Sequence, residues 1–400
     1  MHDASMPPEA AGSAGPAEAA GAAKPAGPLG AAGAVEPAGP LGAAGVVERP
    51  ASEGHRALWF LQRLAPEGDA YHVARAFRLG APPDVEALGR ALDALVDRHA
   101  SLRASFPERG GEPVERVSLR TAPALQRVDA RGWGESELER RLNEEARRPF
   151  DLAEGPLFRA QLFERAEGSV LLFCLHHLVT DFGSLGLLAG ELGVLYDAAQ
   201  AGETPRLPPA GATPAALEGA GGRRGDRGDE GGQGDERSLR YWRGALAGAP
   251  PALDLPTDWP RPRRQSFAGA RLPFAASAEA TARVKALAAA CETTVFTTLL
   301  AAFALFLHRY TGERDLVVGT PSAGRRGVEA RRSVGYFVNP LALRLGLDPG
   351  RSFRELVART RDVVVGALAH GDLPFSRLIE ALRPAREPGR APLVQVMFAL

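Results

Sequence analysis

Two adjacent histidines, His176 and His177, are followed by an aspartate, Asp181, four positions after the second. A neutral imidazole accepts and returns a proton near physiological pH, so His177 is a candidate general base or hydrogen-bond partner for a transferring acyl group. The same residues also fit a structural pair in which Asp181 caps the following helix. A metal site needs more ligands, and no third His or Cys follows at useful spacing. Ser184 is no nucleophile elbow, because no Gly-x-Ser-x-Gly surrounds it.

The flanking patterns say how these side chains are positioned. Ser169 to Leu175 is a short continuous apolar run, which suits a buried strand. Leu185, Leu188, Leu192 and Leu195 then recur at helical spacing. The histidines therefore sit at a strand's end and the aspartate just before a helix, where a rigid scaffold aims side chains. Upstream, Val85, Leu88, Leu92, Leu95 and Val96 fall on one helical face. Downstream, helices are expected over Ala278–Ala290 and Thr294–Tyr310, with Ser277 capping the first and Gly312 ending the second. Asp315–Thr320 reads as a strand, and Gly335–Leu345 as a strand broken at Pro340. Phe353–Ala369 and Pro374–Leu382 are further helices, and Leu393–Leu400 a final strand.

Composition bounds the rest. The chain has 400 residues, 45% of them apolar, enough for a substantial core, and its formal net charge is zero. That balance gives no electrostatic footprint for nucleic acid or an acidic membrane. Cys174 and Cys291 lie in apolar context and suit buried thiols in a reducing compartment. No basic region followed by an apolar run opens the chain, and the longest strongly apolar run, Val295 to Leu307, is too short for a bilayer. The expectation is a soluble, cytoplasmic protein. Pro25–Glu36 recurs almost unchanged as Pro37–Glu48, rich in Ala, Gly and Pro. Residues 1–50 are accordingly expected to be a disordered linker. A Gly-rich charged stretch marks a second flexible linker over 206–237. Between and after them lie two α/β lobes, 51–205 and 238–400.

Several segments, in order, resemble the condensation domains of nonribosomal peptide synthetases, within the chloramphenicol-acetyltransferase-like superfamily. Ser52–Tyr71 resembles the family's opening segment, with His55 where Gln is usual, and Arg98–Phe106 its Arg-His-x-x-Leu-Arg-x-x-Phe segment. His176–Gly183 matches the His-His-x-x-x-Asp-Gly signature except at one position. Tyr241–Pro262, Gly319–Arg325, Gly335–Asn339, His370–Phe375 and Pro392–Phe398 follow in family order. The resemblance implies a layered α/β fold of two acetyltransferase-like lobes forming a V-shaped pseudo-dimer. The family usually continues for some tens of residues past this point, so the second lobe is expected to be incomplete at its C-terminal end and the chain alone weakly active or unstable.

The resemblance further implies amide-bond formation between a donor thioester and an acceptor amine. Each is delivered on a phosphopantetheine arm by an upstream donor or downstream acceptor carrier protein, with an adjacent adenylation domain and no directly bound cofactor or metal. In that reading His177 contacts the amine or the tetrahedral intermediate, and His176 packs or hydrogen-bonds below the site. Asp181 orients the site through an inward ion pair, for which Arg103 is the candidate partner and Arg98 the alternative. Gly183 permits a tight turn, and Asn339 lines the tunnel near the lobe interface, unless it is a turn residue before Pro340. Phe182 stands where the signature has Gly, beside the site, and is placed to reshape its acceptor side. Competing expectations are a stand-alone acyltransferase using coenzyme A or carrier thioesters, an epimerization domain, and an inactive docking platform.

Overall fold

The apolar run ahead of the histidines forms a strand in which all seven residues are buried, and the rest of the first half is arranged around it. The computed structural model describes residues 46–119, 125–222, 230–262, 267, 269–325, 327–385 and 389–400. The expected linker over 1–45 lies outside them. The described chain begins with β1 (Val46–Pro50), α1 (Glu53–Leu64), β2 (His72–Arg78) and α2 (Val85–Arg98). It continues through a 3-10 turn at Ala100–Arg103, β3 (Ala104–Ser105), β4 (Glu108–Arg109), β5 (Glu112–Ser118), β6 (Gln126–Asp129) and α3 (Glu135–Arg147). Next come β7 (Phe158–Glu164), β8 (Val170–His176), a 3-10 turn at His177–Val179 and α4 (Phe182–Ala201).

Strands β2, β8, β7 and β6 form one sheet in that order. His72 of β2 lies opposite His176 of β8, so the end of the sheet that carries the histidines is fixed by register. The second sheet orders β1, β5 and β3, with β4 also on β5. Residues 46–50, expected to be linker, are therefore a strand. The change of state has a physical reason: Val46–Pro50 pairs residue for residue with Val114–Ser118, which supplies the ladder that local composition does not.

Helices α5 (Pro214–Gly222) and α6 (Glu230–Ala245) follow, then α7 (Ala278–Ala290), α8 (Val295–Thr311), β9 (Asp315–Ser322), α9 (Gly327–Arg331), β10 (Asn339–Gly346), α10 (Phe353–Ala369) and α11 (Phe375–Leu382). Strands β9 and β10 pair antiparallel. The Leu393–Leu400 segment forms an isolated bridge, Gly319 to Met397, rather than the expected strand. Gly335–Val338, expected to open a strand, is not in one; its backbone bonds go elsewhere, as shown below.

The described part of the expected 206–237 linker is docked rather than loose. Thr213 is buried and its hydroxyl donates to the buried Glu115 of β5 at 2.7 Å, while also accepting from Ala216 N at the start of α5. A Cβ on Gly211 would lie 2.2 Å from Ser333 Oγ, so glycine serves close approach here and not looseness. Two main hydrophobic cores result. One centres on Leu92, Leu95, Phe158, Leu162, Phe173 and Leu175, and reaches over to Val334. The other centres on Trp242, Leu300, Leu316, Val318, Leu341 and Leu343. At about 1.5–3 kcal/mol per fully buried large side chain, each is a substantial stabilising unit.

Candidate functional site

His177 leaves the end of β8 in the 3-10 turn, with its backbone N–H donating to Tyr71 O at 2.8 Å. Its Nδ1 lies 2.7 Å from Thr180 O. A carbonyl only accepts, so Nδ1 carries the proton and Nε2 keeps its lone pair. The ring is half-buried and meets Tyr336 edge-on, with centroids 5.1 Å apart. This tautomer is the one a proton acceptor or hydrogen-bond acceptor needs.

His176 is fully buried and plays a different part. Its Nδ1 accepts from Leu178 N at 3.1 Å, which leaves Nε2 to donate toward Gln62 Oε1 at 3.4 Å. Burial pushes its pKa down to about 3, so the ring stays neutral. It packs edge-on against His72 and Phe150. The structural half of the two-histidine reading thus fits His176, and the reactive half fits His177.

Asp181 is the N-cap of α4 and is 2% exposed. Its Oδ1 accepts from Ser184 N at 2.7 Å and lies 2.8 Å from Ser184 Oγ. Its charge is balanced by Arg325, whose Nη2 approaches Oδ1 at 2.6 Å, and Phe337 N donates to Oδ2 at 3.3 Å. The expected partners, Arg103 and Arg98, are both elsewhere. Arg103 is spent on the carbonyls of Val96, Asp97 and Ser118, closing the end of α2. Arg98 pairs with Glu191 at 2.7 Å, and Glu191 also accepts from His99 Nε2 at 2.7 Å. Both arginines precede Asp181 by about eighty residues and are held instead by their carbonyl and carboxylate partners.

Arg325 is the residue that sequence reading missed, although it ends the Gly319–Arg325 segment. Its Nη1 donates to Ala330 O and Ser333 O at 2.7 and 2.6 Å, and its Nη2 also reaches Ser184 Oγ at 2.7 Å. The guanidinium lies 4.4 Å from the Phe337 ring centre, a cation–π arrangement. Ser184 is the hub between the halves: Gly335 N donates to its hydroxyl, and Gly335 O is also 3.0 Å away. These bonds hold the 333–337 segment out of a strand.

The remaining expectations change role. Gly183 is in the first turn of α4 with ordinary helical backbone, so no tight turn needs it. A Cβ there would lie 2.9 Å from Arg325 Nε, so glycine makes room for the guanidinium. The side chain of Asn339 is engaged by backbone of the second half. Its amide donates to Gly371 O and Leu373 O and accepts from Phe375 N, tying the start of β10 to the start of α11. Phe182 is 79% exposed beside Asp181, free of the core. A cleft of about 500 Å³ is bordered by Gln126, Phe150, Phe158 and Arg159; His177 is not in its lining. Among the described residues no three His, Cys, Asp or Glu side chains converge as metal ligands. No single described helix is long and apolar enough to cross a membrane.

Residues 48–400 match the family model described as "Condensation domain". A component of the linear gramicidin synthase of Brevibacillus parabrevis is 42% identical over 356 residues, covering 88% of this chain and 4% of that protein. Phosphinothricin tripeptide synthetase PhsC of Streptomyces viridochromogenes is 40% identical over 360 residues, covering 88% of this chain and 32% of that protein. Among solved structures, a holo four-domain nonribosomal peptide synthetase bound to AMP and glycine is similar at a TM-score of 0.76 and 28% identity, over 88% of this chain and 26% of that one. The chain thus spans a third or less of each of these proteins.

Proposed function

The chain belongs to the condensation-domain family, and on that premise we propose that it forms an amide bond between two substrates tethered to carrier proteins in nonribosomal or mixed polyketide–peptide synthesis. The acceptor's amine attacks the donor's thioester carbonyl, and the carbonyl π pair moves to oxygen. The tetrahedral adduct collapses by expelling the donor arm's thiolate, and the lengthened chain stays on the acceptor arm. The proton lost by nitrogen passes by way of His177 Nε2 to the thiolate. Holding both arms at one site replaces a bimolecular encounter with an oriented one, the larger part of the acceleration. An adjoining adenylation domain loads the acceptor carrier, and the reaction takes place in the cytoplasm.

The observation that carries this reading is the Nδ1–H bond of His177 to Thr180 O, which leaves Nε2 as the free acceptor. Asp181 and Arg325 act as positioning residues, holding the turn and the 333–337 segment together. The test is amide formation from two loaded carrier proteins, wild type against His177→Ala. A loss of at least about 100-fold is expected, the lower end for a positioned proton acceptor. Equal product from both proteins removes His177 from the role. Three further arms separate the competitors. Turnover of coenzyme A thioesters without carriers would indicate a stand-alone acyltransferase. Inversion at an α-carbon without amide formation would indicate an epimerization domain. Carrier binding with no chemistry at all would indicate a docking platform.

A further inference from the structure

Tyr336 belongs to the second half of the chain but packs into the first. Its ring meets the His177 ring edge-on, and burial pushes its phenol up to about 12, with Tyr71 and Asp181 adding to the shift. The backbone on either side is pinned. Val334 O accepts from Ser101 Oγ at 2.6 Å, Gly335 N donates to Ser184 Oγ, and Phe337 N donates to Asp181. Gly54 of α1 seats the ring: a Cβ there would lie 3.2 Å from Tyr336 Cε1. A mostly buried tyrosine ordinarily gives its hydroxyl a partner. Here the hydroxyl has none among the described residues, and the groups acting on it are Tyr71 and Asp181. The result is a held, protonated donor beside the His177 imidazole, whose Nε2 is left as an acceptor.

We propose that Tyr336 is a further catalytic residue, whose phenol donates a hydrogen bond to the thioester carbonyl oxygen as the amine adds to its carbon. The inference rests on the amide-forming reading above. As the C–N bond forms, the π pair becomes a lone pair on oxygen, and the phenol holds that negative charge without transferring its proton. When the carbonyl re-forms and the C–S bond breaks, the hydrogen bond weakens and the thiolate takes the proton that nitrogen gave up. The contribution thus belongs to the transition state and not to substrate binding.

The test is Tyr336→Phe, which keeps the ring on His177 and removes only the hydroxyl. With two loaded carriers, kcat is expected to fall about 10- to 100-fold, below the loss typical of a fully formed oxyanion donor. KM for both carriers, the melting temperature and the shape of the pH profile between pH 6 and 9 are expected to stay as in the wild type. A kcat within threefold of wild type overturns the proposal. So does a loss expressed as raised KM, which would mean packing against substrate, or one tracking a lowered melting temperature, which would mean a structural role. A fully active wild type beside an unimpaired Tyr336→Phe overturns this proposal alone. A wild type that makes no amide overturns the reading beneath it as well.

Discussion

Replacing Arg325 with methionine removes a buried cation while keeping most of its volume. Four bonds vanish together: two to the carbonyls of Ala330 and Ser333, one to Ser184 Oγ and one to Asp181. The carboxylate left behind is 2% exposed, and its remaining partners are Ser184 and the amide of Phe337. Removing one member of a buried ion pair costs about 3–5 kcal/mol, mostly as the desolvation of the survivor. Against a total stability of about 5–15 kcal/mol, that is a large share. Urea unfolding at 10 °C reads the loss directly. The companion measurement is the double variant Asp181→Asn/Arg325→Met. Its loss is expected to fall short of the sum of the two single losses by at least about 2 kcal/mol, because the double variant buries no unpaired charge. A single-variant loss below about 1 kcal/mol, or strictly additive losses, would refute the claim that this pair joins the halves.

Other perturbations probe separate parts of the argument. Gly183→Ala adds a good helix former in a helix, worth about 1 kcal/mol in isolation; the 2.9 Å approach to Arg325 Nε is expected to reverse the sign and to lower amide-forming activity, read by melting and turnover together. Asn339→Ala removes three bonds at the base of α11 and is expected to lower stability by about 2–3 kcal/mol, with turnover per folded molecule unchanged; a turnover loss in fully folded protein would return Asn339 to the substrate path. Burial raises the Glu115 carboxyl to about 7. Because the folded form then holds its proton over a range where the unfolded form has lost it, this group's contribution declines as pH rises from about 4.5 to 7. Glu115→Gln, which also removes the ion pair with Arg49, is therefore expected to flatten this decline across that window, measured by urea titrations at several pH values. His176, held neutral with its pKa near 3, has the opposite sign: its contribution is present above pH 6.5 and fades on acidification toward 3, and His176→Asn is expected to flatten the acid limb of the same titration.

The local parts of the site were legible because they are governed by local rules. A run of consecutive apolar residues ending in two histidines marks a strand's end, and an aspartate before a leucine-spaced segment marks a helix cap; β8 and α4 follow both rules. Periodicity likewise located α2, α8 and α10 to within a few residues. The partner of Asp181 was not legible. Arg325 lies 144 residues away in an arginine-rich chain, and nothing in its spacing distinguishes it. Arg103 and Arg98 were nearer in sequence but are held by carbonyls and by Glu191. The start of the 206–237 stretch was misread for a related reason. Glycine and charge resemble a loose tether, yet Gly211 and Thr213 are set by tertiary contacts with Ser333 and Glu115, which composition does not report. Asn339 shows the same gap: a turn-forming side chain before proline is in fact an anchor for a loop more than thirty residues on.

The reach of the Asp181–Arg325 contact also bears on how the protein is made. A ribosome adding about 5–20 residues per second synthesises the carboxylate some 7–30 s before its guanidinium. Throughout that interval the histidine turn exists without the cation, and without Gly335 and Phe337, that later enclose it. Until residue 337 has emerged, Asp181 has only Ser184 among its later partners, and water must meet the rest of its hydrogen-bonding capacity. The cation and the amides that enclose Asp181 are thus withheld from every nascent chain shorter than 337 residues, and they arrive only once the second half has been delivered and docked.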